Sequence, residues 1–315
     1  MERRISIAIH GGAGTILKEE MTPELEASYT KGLSEALNKG YALLEKGASS
    51  TDAVMVAVIA LEDNILFNAG KGSVFTKNGS HEMDAAIMEG KFLDAGAVAG
   101  VKNIRNPIEL ATAIMLKSDH VFLSGDGAYE FAQQQHLKFE PDEYFFSQFR
   151  YDQWLVIKDS DSYALDHTKE EDLLNKEKKF GTVGAVACDV NGNIAAATST
   201  GGMTNKKFGR IGDTPIIGCG TYANNNTCAI SCTGHGELFI RAVAAYDVSC
   251  LMEYQKLSLH DAMDIVVNNK LIKIGGEGGM VGVDAQGNIE MLFNSAGMYR
   301  AAKNNQGFET VAIYE

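Results

Sequence analysis

The first apolar residues of the chain alternate with polar ones. This two-residue period covers residues 4–10 and runs into the glycine-rich segment 11–14, which predicts a strand ending in a close turn. Apolar residues then recur at helical spacing over 23–46 and again over 53–61, where Ser50 or Thr51 precedes the run as a candidate N-cap. The pattern predicts one strand followed by two helices.

The middle of the chain is more varied. Residues 67–72 form a glycine-bearing loop in this interpretation, and 107–135 has a helical pattern interrupted by a turn signal at 124–127. Residues 159–179 are rich in charge and hold few apolar side chains. A segment of that composition cannot bury enough apolar surface to become ordered, so we expect a solvated, mobile linker at about 159–181.

The pattern after the linker is that of antiparallel strands. Apolar runs at 182–189 and 194–200 flank Asn191-Gly192, and a similar hairpin covers 280–293 with its turn at Gln286-Gly287. Asn-Gly between two such runs predicts a two-residue hairpin loop. Counting outward from that loop places Thr182 opposite Gly201, one position from Thr200. Strands and helices are therefore mixed, and the favoured class is α+β.

Composition and net charge exclude several classes of protein for this chain. The chain has 315 residues, of which 45% are hydrophobic and 22% charged, so it can build a core without disulfides or metal. The net charge of -13 argues against nucleic acid or an anionic membrane surface as a partner. No run is long enough to span a membrane, and the first apolar run resembles a strand more than a signal peptide. We expect a cytoplasmic protein.

The cysteines give no sign of disulfides or metal binding. The five cysteines lie at 188, 219, 228, 232 and 250, and no two of them form a C-x-x-C pair. This odd number and spacing are typical of buried thiols in a reducing compartment. No further histidine or cysteine lies near His81 and Asp84 in the sequence, so a zinc site is disfavoured.

The Gly181-Thr182 pair is the first candidate for chemistry. Thr182 begins a predicted strand directly after the linker, so a cut before it would create a threonine with a free amine. That amine has a reference pKa of about 7.7 to 8.0 and can accept the proton of the threonine's own hydroxyl. Glycine at 181 leaves the preceding carbonyl uncrowded. By itself, however, a threonine at a strand start is usually only a good strand former.

Arg210 and Asp213 are the second candidate. Their opposite charges, three residues apart, match the carboxylate and ammonium of an amino-acid substrate. Without further support, a surface ion pair worth less than about 1 kcal/mol is the simpler interpretation.

Five motifs together resemble one family. They are HGGAG at 10–14, LFNAGKGSVFT at 66–76, GTVGAVACD at 181–189, TSTGGMTNKKFGRIGDTPIIGCGTYA at 198–223 and SCTGHGE at 231–237. Across nearly its whole length the chain resembles plant-type L-asparaginases, also called isoaspartyl aminopeptidases, which are N-terminal-nucleophile hydrolases. The resemblance implies cleavage of the side-chain amide of L-asparagine and of the isopeptide bond of β-aspartyl dipeptides, with release of L-aspartate.

The resemblance also implies an architecture. Residues 1–315 would form a single domain, a four-layer αββα sandwich, made as a precursor. Self-cleavage would give an α subunit, 1–181, that carries the linker, and a β subunit, 182–315, that begins with Thr182. The family usually assembles as a dimer of such heterodimers.

Catalytic positions follow from the resemblance residue by residue. Thr182 would be the nucleophile, freed by cleavage of the Gly181-Thr182 bond, and Thr200 would help to orient it. The Thr233 hydroxyl and the Gly234 N–H would form the oxyanion hole.

Binding positions follow in the same way. Arg210 would bind the substrate's α-carboxylate and Asp213 its α-ammonium, while Asn68, Gly234 and Gly236 would complete the pocket. A structural sodium ion would be held by main-chain oxygens between Leu61 and Asn68. Catalysis itself would need no cofactor.

Other functions remain open on the sequence. A glycosylasparaginase-like amidase and a threonine endopeptidase share the superfamily, and a non-catalytic amino-acid-binding homologue could keep the fold. HGGAG lacks the spacing of a phosphate-binding loop, which disfavours nucleotide binding. His235, a lone histidine between glycines, is left outside the predicted catalytic set.

Overall fold

A computed structural model describes residues 4–14, 16, 18–159 and 181–315. The predicted linker therefore lies outside the described residues except at its ends, Asp159 and Gly181, and stays a prediction. The elements before residue 160 follow in the order β1 (Ser6–Gly14), a 3₁₀ turn (Lys18–Glu20), α1 (Pro23–Glu45), α2 (Ser50–Glu62), a second 3₁₀ turn (Gly70–Gly72), β2 (Met83–Glu89), β3 (Ala95–Val101), α3 (Pro107–Lys117), β4 (Phe122–Ser124), α4 (Gly125–Gln134), α5 (Asp142–Phe145) and α6 (Gln148–Ile157).

The part of the chain after residue 180 adds the remaining strands and helices. They are β5 (Val183–Cys188), β6 (Ile194–Thr200), β7 (Thr221–Ala223), β8 (Cys228–Gly234), α7 (Gly236–Ala242), α8 (Ala244–Gln255), α9 (Leu259–Asp264), a π-helical turn (Ile265–Leu271), β9 (Gly278–Asp284), β10 (Ile289–Phe293), β11 (Gly297–Asn304) and β12 (Glu309–Ala312).

The first two helices begin at side-chain caps. Thr22 accepts a hydrogen bond from the Leu25 N–H over 3.2 Å at the start of α1. Ser49 does the same for the Asp52 N–H over 3.1 Å at the start of α2. The prediction of Ser50 or Thr51 as the cap is wrong by one or two positions, since both lie in the first turn of α2.

The helical pattern predicted over 107–135 is split by a strand. The helix α3 ends at Lys117 and β4 pairs in parallel with β3 before α4 starts at Gly125. The predicted turn at 124–127 lies instead at the β4–α4 junction, where Gly125 has a φ of +59°. Pairing with β3, a contact distant in sequence, outweighs the local helical pattern.

The strands form a large and a small sheet. Those of the large sheet lie in the order β12-β11-β1-β5-β6-β2-β3-β4, and those of the small one in the order β10-β9-β8-β7. Among the described strands of the large sheet, only the β3–β4 pair is parallel. Strand β5, which follows Thr182, lies in the middle of the large sheet between β1 and β6.

The β5–β6 hairpin differs from its prediction in one respect. Val183 pairs with Ser199 and Cys188 with Ile194, so the loop spans three residues, 190–192, and not two. The carboxylate of Asp189 accepts the N–H groups of Asn191 (2.8 Å) and Asn193 (3.0 Å), and this cap favours the longer loop. Continuing the register places Thr182 opposite Thr200, so the predicted pairing with Gly201 is wrong by one residue.

Alternate residues of β1 enter different cores. Ile7 and Ile9 pack with helices α1 to α3, on the outer side of the large sheet. Ala8 belongs to a second core that the large sheet shares with the small sheet and with α8 and α9. The two-residue period of the sequence thus divides the sheet into two buried faces. The mixture of helices with largely antiparallel sheets confirms the α+β class.

Within the described part of the chain, no helix combines the length and the apolar character that crossing a bilayer requires.

Candidate active site

Two hydroxyl groups meet at the open end of the β5–β6 hairpin. The Thr182 hydroxyl donates a hydrogen bond to Thr200 Oγ1 over 3.1 Å, and both side chains are buried. The direct cross-strand position of Thr200 accounts for this contact.

The carbonyl oxygen of Gly181 lies between two donors. It accepts a hydrogen bond from Asn68 Nδ2 at 2.8 Å and another from Thr200 Oγ1 at 3.1 Å. These donors are placed to stabilise negative charge on that oxygen. The carbonyl next to the Thr182 hydroxyl is therefore polarised toward nucleophilic attack.

Asn68 is held firmly by the loop after α2. Its Oδ1 accepts the Val74 N–H at 3.1 Å, and its Nδ2 also donates to the Gly202 carbonyl at 2.7 Å. The side-chain amide orientation follows from these partners, since only nitrogen can donate to the two carbonyls. In the intact chain, this residue contacts Gly181 directly in addition to its predicted place in the substrate pocket.

Thr233 and Gly234 end strand β8 of the small sheet. Thr233 Oγ1 accepts a hydrogen bond from the Ala13 N–H at 3.2 Å, which leaves the hydroxyl hydrogen available to a further acceptor. A side chain at 234 would overlap the Phe239 ring and lie 2.6 Å from the Glu277 carbonyl oxygen. Glycine is therefore required at this position.

Arg210 forms a bidentate ion pair with Glu237. Its Nε and Nη2 each lie 2.8 Å from a carboxylate oxygen of Glu237, and His235 Nε2 lies 3.3 Å from the same carboxylate. Burial acts to raise the pKa of Glu237, but hydrogen bonds from His235 and Arg210 hold it well below its usual range. Glu237 is therefore a carboxylate at any pH near neutral.

Asp213 carries a carboxylate that is only partly satisfied. It is buried, and its Oδ2 accepts no hydrogen bond from the described residues. Burial raises the pKa of Asp213 to about 7, although the charge of Arg210 opposes the rise. A side chain at Gly236 would lie 2.8 Å from Arg210 Nη2 and 2.9 Å from Asp213 Oδ1, so glycine there allows the two charged groups to approach.

A small cavity joins most of these groups. Its lining is formed by Gly181, Thr182, Thr200, Gly202, Met203, Arg210, Gly212, Asp213, Thr214 and Gly234. Asn68, Thr233 and Gly236 lie outside this lining. The cavity measures about 10 Å³, close to the minimum that holds one water molecule. With Gly181 in place, the site is too small for an amino acid.

The loop between Leu61 and Asn68 packs main-chain carbonyl groups against two glycines of the following 3₁₀ turn. Side chains at Gly70 or Gly72 would overlap the carbonyl groups of Glu62, Ile65 and Phe67. Main-chain oxygens are the kind of ligand that suits a hard cation, and the sodium ion at this loop stays a prediction. Among the described residues, no group of three or more His, Cys, Asp and Glu side chains could hold a metal.

The remaining cysteine and histidine candidates have local roles. All five cysteines are free thiols, and burial raises the pKa of Cys188 to about 12 and of Cys219 to about 11, so neither is a ready nucleophile. His81 Nδ1 lies 3.2 Å from the Val74 carbonyl, within the segment that also holds Asn68.

Sequence reasoning missed Glu237. The residue belongs to the quoted motif SCTGHGE, but no role was assigned to it. Its place in that motif, two residues after His235 and three after Gly234, was the signal that could have found it.

Comparison with known proteins gives a consistent result. A family model described as asparaginase matches residues 3–313. The isoaspartyl peptidase of Salmonella typhimurium is 50% identical over 308 residues, covering 98% of each chain. That of Escherichia coli is 48% identical, covering 98% of this chain and 95% of its own. The human isoaspartyl peptidase/L-asparaginase is 39% identical over 305 residues, covering 95% and 94%.

Proposed function

The chain belongs to the asparaginase family, and from this premise we propose that it hydrolyses the side-chain amide of L-asparagine and the isopeptide bond of β-aspartyl dipeptides. L-Aspartate is the product common to both reactions. The names of the relatives support this substrate class, and the charged groups of the site support it independently. Activity begins, in this proposal, when the chain cuts itself between Gly181 and Thr182.

The observation that carries the proposal is the placement of the Gly181 carbonyl. Its oxygen faces Asn68 Nδ2 and Thr200 Oγ1, while the Thr182 hydroxyl lies 3.1 Å from Thr200 Oγ1. Attack of Thr182 Oγ1 on the Gly181 carbonyl carbon forms a C–O bond as the peptide C–N bond breaks. The nitrogen gains a proton and becomes a free amine, and water then hydrolyses the ester.

The freed residue 182 is the nucleophile of the mature enzyme. Its amine, with a reference pKa of about 7.7 to 8.0, accepts the proton of its own hydroxyl as the oxygen attacks the substrate's amide carbon. The Thr233 hydroxyl and the Gly234 N–H stabilise the oxyanion. The amine or ammonia leaves with a proton, and water releases L-aspartate from the acyl-enzyme.

The substrate's charged head is recognised by Arg210 and Asp213. The α-carboxylate binds the Arg210 guanidinium, and the α-ammonium binds the Asp213 oxygen that accepts no hydrogen bond from the described residues. Asn68 and Gly236 complete this half of the pocket. The leaving group differs between the two substrate types and extends away from these contacts.

We propose that the two sheets and their covering helices form the four-layer αββα sandwich of N-terminal-nucleophile hydrolases. Helix contacts on the outer side of each sheet support this arrangement. After cleavage, residues 1–181 and 182–315 would remain together as a heterodimer, and two heterodimers would associate. A structural sodium ion would bind the main-chain oxygens of the loop from Leu61 to Asn68, with no part in the chemistry.

The direct test of self-cleavage is fragment analysis under denaturing conditions. Purified wild-type protein should yield fragments 1–181 and 182–315, and Thr182→Ala should stay whole. Thr182→Ser is the matched control, because it keeps the hydroxyl and should still be cut. Wild-type protein that remains a single chain, or Thr182→Ala protein that is cut at the same bond, contradicts the proposal.

The substrate assignment has a separate test. Mature protein should release L-aspartate from L-asparagine and from β-aspartyl leucine, and should do so far more slowly from asparagine that bears a glycan. Preferential release from the glycosylated substrate would identify a glycosylasparaginase-like amidase instead.

A further inference from the structure

His10 links the first strand to the residue that carries the chemistry. Its ring is fully buried in β1, with Nδ1 3.0 Å from the Thr182 carbonyl oxygen and Nε2 2.9 Å from Ser231 Oγ. Neither His10 nor Ser231 takes part in the proposed steps of cleavage or hydrolysis.

The chemistry of the partners determines the tautomer of the ring. A carbonyl oxygen can only accept a hydrogen bond, so Nδ1 must carry the hydrogen that it shares with Thr182. Nε2 is then an acceptor and takes the hydroxyl hydrogen of Ser231. Burial lowers the pKa of His10 to about 3, so the ring is neutral and holds this tautomer throughout the neutral range.

The hydrogen bonds continue in the same direction beyond Ser231. Ser231 donates its only hydroxyl hydrogen to His10. The Thr198 hydroxyl must therefore donate to Ser231 Oγ, 2.7 Å away. Thr221 Oγ1 lies 2.7 Å from Thr198 Oγ1 and 3.1 Å from the Thr214 carbonyl oxygen, both within reach of its single hydrogen. All four side chains are buried. These hydrogen bonds pass back and forth between the two sheets, from Thr198 on β6 to Ser231 on β8 and then to His10 on β1, and end at the Thr182 carbonyl.

The position of Thr182 explains why a side chain is needed there. The β1–β5 ladder ends at the pair His10–Gly184, and β1 bulges between His10 and Gly12. The Thr182 carbonyl therefore lies past the last backbone pair, and the His10 ring supplies the missing donor. Gly184 makes room for it, since a Cβ there would lie 2.5 Å from His10 Nε2.

We propose that His10 is a positioning residue for Thr182, holding its carbonyl through Nδ1–H so that the amine and hydroxyl keep their places once residue 182 becomes a chain end. Cleavage removes the Gly181 peptide, which is itself anchored by Asn68 and Thr200. The His10 bond lies on the other side of the cut bond and survives it. This inference rests on the proposed function, in which Thr182 is the nucleophile.

Two substitutions of His10 distinguish positioning of Thr182 from a general contribution to core packing. Asparagine can place its amide nitrogen near the position of Nδ1, whereas glutamine reaches the position of Nε2. With mature protein and L-asparagine, we expect His10→Asn to keep kcat within about twofold and His10→Gln to lower it about tenfold, as for loss of one oriented hydrogen bond. KM should change less than about twofold in both, because the substrate's charged head is bound elsewhere.

Ser6→Ala is the matched control on the same strand. It removes a buried hydroxyl that has no hydrogen-bond partner in the described chain, and kcat should stay at the wild-type value. Equal loss of kcat in His10→Asn and His10→Gln, in the presence of an unaffected control, overturns the proposal, because a purely structural ring would not distinguish the two.

A spectroscopic measurement decides the matter even if both variants fold poorly. Nitrogen NMR of wild-type protein with labelled histidine should show His10 as neutral, protonated on Nδ1 and unprotonated on Nε2. A charged ring, or hydrogen on Nε2, overturns the inference. Wild-type protein that neither cuts itself nor hydrolyses amides overturns the proposed function, an outcome distinct from failure of the His10 tautomer or of the variant pattern.

Discussion

Two nitrogens of the Arg210 guanidinium are hydrogen-bonded to Glu237 before any substrate binds. Its Nε and Nη2 are held by Glu237, while Nη1 lies beside Gly212 in the cavity lining. The planar guanidinium fork is thereby fixed in direction, so less conformational freedom is lost when a second carboxylate binds. Glu237 is therefore expected to contribute to substrate affinity without contacting the reacting atoms.

Replacing Glu237 with glutamine tests this role. Glu237→Gln removes the charge that orients Arg210, so KM for L-asparagine should rise about fivefold to tenfold while kcat changes little. Glu35→Gln, at an exposed ion pair on α1, is the control and should leave both constants unchanged. Steady-state kinetics on both variants measures the effect, and an unchanged or lower KM for Glu237→Gln would count against it.

Asp213 should make ligand binding depend on pH. Its pKa of about 7 means that the free site loses this charge as the pH falls below neutrality, and with it the attraction for an α-ammonium. The dissociation constant of L-aspartate should therefore rise about tenfold from about pH 8 to about pH 6. Calorimetry on mature protein measures it. Asp213→Asn should bind weakly with a flat profile, and a flat wild-type profile would refute the assignment.

Single residues were predictable where a motif identifies them. Thr182, Arg210 and Asp213 belong to continuous motifs, and the structure places them around one cavity. The contacts of Glu237 and His10 were not predictable in this way. Both depend on how separate strands and loops meet, such as β1 beside β5, and no local pattern records that pairing.

At the scale of elements, the β5–β6 turn determines which residues face each other. The sequence predicted the hairpin correctly but missed its register, because Asn191-Gly192 alone favours a two-residue loop. The Asp189 carboxylate captures two N–H groups and stabilises a three-residue loop instead. Asp284 does the same with Gln286 and Asn288 in the second hairpin. Side-chain capping, and not the dipeptide Asn191-Gly192 or Gln286-Gly287, sets the register of the two hairpins.

A pair of glycine substitutions tests this account of the turn. Gly192 has a φ of +78°, so Gly192→Ala should lower the free energy of unfolding by about 1 kcal/mol. Gly127 lies in exposed helix α4 with open space around it, and Gly127→Ala should raise that free energy by about 0.5 to 1 kcal/mol. Denaturant unfolding of the Thr182→Ala background, which stays one chain, measures both. Equal effects of the two substitutions would disprove the positive-φ argument.

At the scale of the molecule, the two halves of the chain are interleaved. Strands β5 and β6, which follow residue 181, lie side by side between β1 and β2, which precede it. Cutting the Gly181-Thr182 bond breaks one covalent link but none of these ladders. The cut product should therefore keep the fold of the precursor.

This interleaving predicts how the fragments behave. In native gel filtration, fragments 1–181 and 182–315 should elute together, at the same volume as uncut Thr182→Ala protein. They should separate only in denaturant, once the shared sheet has unfolded. Independent elution of the two fragments under native conditions would contradict the sheet order.

The central claim is that activity requires residue 182 to be a chain end. The most direct measurement follows freshly purified precursor over time, with intact-mass spectrometry giving the fraction of cut chains and L-aspartate release from L-asparagine giving the rate. We expect the rate to rise in proportion to the cut fraction and to extrapolate to zero for uncut chains. Full-mass, uncut protein that hydrolyses L-asparagine as fast as the cut form would contradict the account.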